Sequence, residues 1–149
     1  YEISNHAKTG AICVHNLNYW NGGDYIGVGP GAHGRLTMGK GSTIATEQIP
    51  LPENWLMEIE RNGHAIRQYK RLKPQSRREE LIMLGLRLSD GINRKLFYSA
   101  AGVRLEEFLN PGRLNHLEKG GFLISDNTGL RTTSQGRLRL NAILAALLA

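Results

Sequence analysis

A chain of 149 residues with 40% hydrophobic residues and a formal charge of +6 is the size of one domain, with room for a small satellite. No apolar run approaches the roughly 18 to 20 residues needed to cross a bilayer, no basic and apolar leader opens the chain, and the one cysteine, Cys13, cannot close an internal disulfide. Composition therefore excludes a membrane-spanning helix or a disulfide-stapled fold and points to the cytoplasm.

In chain order, "YEIS" and "DYIGVG" read as short strands. The first has no evident partner, and the chain opens on Tyr1, so the expectation is a piece of a longer protein whose unpaired edge at Tyr1 to Ser4 self-associates. "RLTMGKGSTIATE" reads as a β-hairpin around Gly-Lys-Gly. "LPENWLMEIERNG" reads as a helix, with Pro52 and Glu53 at its start and Gly63 at its stop.

From there the pattern becomes helical. Ser76 and Glu79 form a capping-box signature, and Leu81, Leu84 and Leu88 repeat on one face until Gly91. Asn93 caps a segment running to Ala101 and stopped by Gly102, and Asn110 with Pro111 opens another that ends at Gly120 and Gly121. "FLISDNTGLRTT" gives two strands around a turn, and "SQGRLRLNAILAALLA" closes the chain as a helix apolar on most of its circumference. Leu138, Ile143, Leu144 and Leu147 are expected to seat that helix, with Arg137 and Arg139 on its solvated face. Helix, helix, helix, hairpin, helix is the order of a winged-helix module.

Charge divides the two halves. Residues 1–70 hold six basic and six acidic side chains, whereas residues 71–149 hold thirteen and seven. A basic half admits nucleic acid, an acidic substrate or an acidic protein partner, and charge alone does not choose. The arginines are spread over several segments rather than gathered on one recognition helix, which argues against nucleic acid.

The densest chemistry lies in "HNLNYWNGGDYIGVGPGAHG", His15 to Gly34. Gly29, Gly31 and Gly34 have the G-x-G-x-x-G spacing of a pyrophosphate cradle, but a hairpin rather than a helix follows them. Glycines after a strand also let a backbone approach a flat or extended ligand, or simply make a tight turn. His15 is either a hydrogen-bonded structural residue or a ligand, and Tyr19 and Trp20 are either core or a surface for a flat π-system. His6, His64 and His116 are isolated and read as surface residues; no histidine and cysteine cluster has zinc spacing, and no nucleophile elbow is present.

These residues carry a family resemblance. "HNLNYW" is similar to the HNxxYW motif, and "GDYIGVGPGAHG" to the glycine run, of the radical-SAM haem chaperones of the HemW type, relatives of oxygen-independent coproporphyrinogen III oxidase. "REELIMLGLRLSDGI" and "LEKGGFL…GLRTTSQGRLRLNAIL" resemble that family's C-terminal domain. The resemblance implies an α+β chain in which residues 1–73 are the C-terminal edge of a radical-SAM partial (β/α) barrel with a hairpin extension, and residues 74–149 a small helical winged-helix-like domain. It implies haem binding at His15, Asn16, Tyr19 and Trp20, and S-adenosylmethionine at Gly29, Gly31, Ala32 and His33.

One departure bears on mechanism. The family binds its 4Fe-4S cluster through a CxxxCxxC motif, and this sequence has only Cys13. The expectation is that the cluster belongs to a parent protein, that these residues alone start no radical chemistry, and that the parent delivers haem to a haem-requiring membrane enzyme. Decarboxylation of a porphyrinogen is the alternative within the family, and a basic winged-helix module on nucleic acid the alternative outside it.

Overall fold

The computed structural model describes residues 1–149, the side chain of Lys40 excepted. The chain divides into two compact units, one formed by Tyr1–Gly22 with Gln75–Ala149 and the other by Gly23–Pro74.

The opening "YEIS" is not a strand. Glu2 makes a single bridge to Leu88, and reciprocal Glu2 and Asn5 backbone hydrogen bonds of 3.2 Å fold the segment into a turn. The reason is the Glu2 carboxylate, which is buried and accepts from the Ser4 amide (2.9 Å), the Ser4 hydroxyl (2.8 Å) and Asn5 Nδ2 (2.6 Å). An open edge at Tyr1 to Ser4 is therefore absent, and the self-association expected from it loses its basis. A helix without a sequence forecast follows, α1, Val14–Trp20, with Cys13 at its N-cap.

In the second unit, "DYIGVG" is likewise reduced to one bridge, Tyr25 to Arg35. The hairpin forms as expected: β1, His33–Met38, and β2, Ser42–Gln48, pair antiparallel from His33 with Glu47 to Met38 with Ser42. Helix α2, Pro52–Asn62, starts on Pro52 and ends on Gly63, whose positive φ of 75° lets its amide reach the Ile59 carbonyl at 2.8 Å. A third strand, β3, Ile66–Arg71, then pairs with β2, giving the order β1-β2-β3. Its sequence, IRQYKR, is exposed throughout, so it lacks the alternation that marks a half-buried strand.

In the first unit, α3, Pro74–Gly85, begins two residues before the forecast cap; Glu79 accepts from Gln75 Nε2 at 2.7 Å instead of completing a box with Ser76. Leu88 lies beyond the helix, buried at the bridge to Glu2. Strand β4, Ile92–Asn93, leads into α4, Arg94–Ala101, capped by Asn93 Oδ1 on the Lys95 and Leu96 amides at 2.9 and 3.1 Å. A short α5, Leu105–Phe108, precedes α6, Pro111–Lys119, capped by Asn110. The forecast hairpin is β5, Leu123–Ser125, and β6, Gly129–Thr132, joined by β4 into an antiparallel sheet of order β4-β6-β5.

The closing helix is two helices, α7, Ser134–Arg137, and α8, Leu140–Leu148. Leu140, Ile143 and Leu147 enter the core at helical spacing. Leu138 sits in the break between the helices and is 86% exposed, so it does not seat α8 as its sequence suggests. One apolar core joins Leu81, Ile82, Leu86, Ile92, Phe97, Leu105, Leu117, Leu130 and Ile143. Among the described residues no helix is long and apolar enough to cross a membrane.

Candidate functional site

Helix α1 sorts the HNLNYW motif onto two faces. His15 and Tyr19, four residues apart, meet on one: Tyr19 Oη lies 2.8 Å from His15 Nε2 and the rings cross edge to face at 77°, centroids 4.5 Å apart. His15 is exposed and Tyr19 half-buried. Asn16 and Trp20 lie on another face, tied to the protein: Asn16 Nδ2 donates to Asn5 Oδ1 (3.1 Å) and Tyr1 Oη (3.3 Å), and the Arg87 guanidinium stacks 4.8 Å from the Trp20 ring. The structure thus brings His15 and Tyr19 together as an outward pair and makes Asn16 and Trp20 their anchor.

Arg87, Glu2 and Gly22 complete that anchor and carried no signal in the sequence. Arg87 Nε donates to Glu2 Oε1 at 2.7 Å while its guanidinium faces Trp20, so one side chain holds both the opening turn and α1. Burial by itself would raise the Glu2 pKa, but hydrogen bonds from Asn5, Ser4 and Arg87 outweigh it and hold the group at about 2. Gly22 ends the helix against α3: a Cβ there would lie 2.1 Å from Leu81 Cδ2, and its carbonyl accepts from the buried Arg77 guanidinium.

The glycine run belongs to the other unit. Gly27 and Gly34 are glycine for space: a Cβ on Gly27 would come within 2.3 Å of the His33 carbonyl, and one on Gly34 within 2.4 Å of Thr46 Oγ1. Gly29 and Gly31 have positive φ, 104° and 68°. The missing Cβ of Gly29 opens on empty space, whereas that of Gly31 faces Pro50 at 3.6 Å. Ala32 is held in place by its backbone, its carbonyl accepting from the Gln48 amide at 2.8 Å, and His33 is exposed at the start of β1 with Nε2 3.9 Å from Glu47 Oε1. Asp24 fastens the run by accepting from the Thr37 amide and hydroxyl at 2.9 and 2.8 Å.

Cys13 is a free, exposed thiol, and among the described residues no group of three or more histidine, cysteine or acidic side chains is gathered as a metal site. A 4Fe-4S cluster held by three thiolates does not fit a chain with one cysteine.

Residues 72–139 match the HemN C-terminal domain family. The chain is 36% identical, over 99% of its length, to radical S-adenosyl methionine domain-containing protein 1, mitochondrial, of Danio rerio, covering 34% of that protein. It is 32% identical over its full length to the heme chaperone HemW of Escherichia coli, covering 38% of it, and 33% identical over 99% of its length to HemW of Bacillus subtilis, again covering 38%. Among solved structures, coproporphyrinogen III oxidase (HemN) of Escherichia coli, a radical SAM enzyme, superposes with a TM-score of 0.58 at 16% identity, over 83% of this chain and 28% of that one, which is a likeness of fold. The chain spans little more than a third of the length of these curated relatives. It is a homologue of the HemW haem chaperones and of the radical S-adenosyl methionine domain-containing proteins 1, and residues 72–139 carry its HemN C-terminal domain.

Proposed function

We propose that these residues are the C-terminal part of a radical-SAM haem chaperone, with His15 as the haem ligand. The observation that carries this reading is the outward His15–Tyr19 pair on a helix whose other face is anchored by Asn16 and Trp20. Haem would supply an iron for an imidazole and a flat macrocycle for an aromatic ring. Tyr19 Oη occupies Nε2, so Tyr19 either releases that nitrogen to iron or fixes the tautomer that presents the other one. Asn16 and Trp20 act by positioning.

In the same reading, Gly29, Gly31, Ala32 and His33 line the approach to S-adenosylmethionine, Gly29 contributing the open space beside its Cα. Residues 1–73 are the C-terminal edge of the partial barrel. The 4Fe-4S cluster is held by residues outside this chain, and radical initiation with it. The haem recipient is a haem-requiring enzyme at a membrane, and the compartment is the cytoplasm, or the mitochondrion as the names of the animal relatives have it.

Titration of hemin into the chain, followed by its Soret band, tests the ligand. His15→Ala should weaken binding by roughly tenfold or more and shift the band, and Tyr19→Phe should shift the band with a smaller loss of affinity. Identical spectra and affinity for His15→Ala would remove His15 from the site. The fold likeness to coproporphyrinogen III oxidase favours a second reading, porphyrinogen decarboxylation. Turnover of coproporphyrinogen III by the full-length protein would establish it in place of the first.

A further inference from the structure

The HemN C-terminal domain has a groove that neither motif accounts for. It measures about 430 Å³ and is lined by Arg94, Lys95, Tyr98, Arg104, Leu105 and Glu106, from α4, α5 and the turn between them. Lys95 and Tyr98 are three residues apart on α4 and share a face. Leu105 is buried beneath, and the Tyr98 side chain stands 56% exposed beside it.

The charges around the groove are unequal in their commitments. Arg94 is fully engaged: Nε donates to the Asp126 carbonyl and Nη2 to Ser125 Oγ, both at 2.7 Å, and Nη1 pairs with Glu106. Glu106 is thereby neutralised, and the neighbouring carboxylate, Glu107, accepts the Arg104 backbone amide at 3.0 Å. Among the described residues, Lys95 and Arg104 make no ion pair and the Tyr98 hydroxyl makes no hydrogen bond. What remains is an aromatic and aliphatic floor between two exposed, uncompensated cations.

We infer that this groove docks an acidic segment of a partner protein, an apolar or aromatic side chain seated on Tyr98 and Leu105 with flanking carboxylates on Lys95 and Arg104. Complementary charge beside a small apolar floor is the usual chemistry of a transient protein interface. A nucleic-acid backbone fits less well: it needs a line of cations tracking successive phosphates, and this groove offers two, with Glu106 at its rim.

The test is a chemical-shift titration of the 149-residue chain with the blocked peptide Glu-Glu-Phe-Glu-Glu, beside Glu-Glu-Ala-Glu-Glu and a random-sequence DNA duplex. The Phe peptide should give saturable shifts at Lys95, Tyr98 and Arg104, stronger than the Ala peptide. Lys95→Glu and Arg104→Glu, both exposed and so leaving the fold intact, should each weaken binding roughly tenfold, while Lys119→Glu on α6 leaves it unchanged. Absence of saturable shifts, equal loss in Lys119→Glu, or preference for the duplex through the same residues would overturn the proposal. His15→Ala should not alter peptide binding, which keeps this inference separate from the haem reading.

Discussion

The Glu2 carboxylate shows how one residue defeats a local forecast. A glutamate in a four-residue strand-like run reads as surface, yet it is 1% exposed because Ser4, Asn5 and Arg87 supply it with donors. A buried carboxylate is tolerated only when ionised partners and hydrogen bonds replace its hydration. Its folded pKa, about 2, lies below the ordinary 4.5, so ionised Glu2 stabilises the fold above pH 4.5 and that contribution disappears as pH falls through about 2. The contribution is at most about 3 kcal/mol. Urea unfolding of wild type and Glu2→Gln across that window should show the variant less stable at neutral pH and the difference shrinking toward pH 2. A pH-independent difference would mean that shape rather than charge holds the turn.

Helix α1 is seven residues long, too short to be stable alone, and Cys13 gives it no side-chain cap. None of its residues is fully buried. Its stability comes from Trp20 beneath Arg87, Asn16 on Asn5, and Gly22 against Leu81. Trp20→Ala should therefore release the helix at a cost of about 2 kcal/mol, below the figure for a fully buried tryptophan. Limited proteolysis should then cut within residues 11–21 while the HemN C-terminal domain stays intact, and unchanged protection there would assign the anchoring to Asn16 instead. If His15 ligates haem, the same variant should lose hemin affinity without touching the ligand.

Across the whole chain, apolar burial is unequal between the units. The extended core lies in the unit of Tyr1–Gly22 and Gln75–Ala149, whereas among the described residues of Gly23–Pro74 the fully buried apolar side chains are Ile44 and Ala65. A unit of that size with so little apolar burial is marginal. Native-state hydrogen exchange should find β1, β2 and β3 opening well below the free energy at which α3 and α8 open. Leu86→Ala, at a fully buried position, should lower protection across the larger unit by about 2 to 5 kcal/mol. Equal protection of the two units in wild type would show that Gly23–Pro74 is held by more than its own core.

Signals within reach of a few residues were legible in the sequence. The β1–β2 hairpin, the start of α2 on Pro52 and its stop on Gly63, and the Asn93 and Asn110 caps all follow from turn and cap chemistry acting over three or four positions. So did the family, because HNxxYW and the glycine run are compact motifs. Tertiary structure alone decided what depends on distant partners: that "YEIS" turns inward on Arg87, 85 residues from Glu2, that exposed β3 finds its ladder in β2, and that Leu138 falls in a break rather than on the face of α8. It also decided how the HNLNYW motif divides, since a seven-residue helix has no inside until Arg87 and Leu81 approach it. Local chemistry encodes where a chain bends and caps; which face of an element is buried is a property of whatever packs against it.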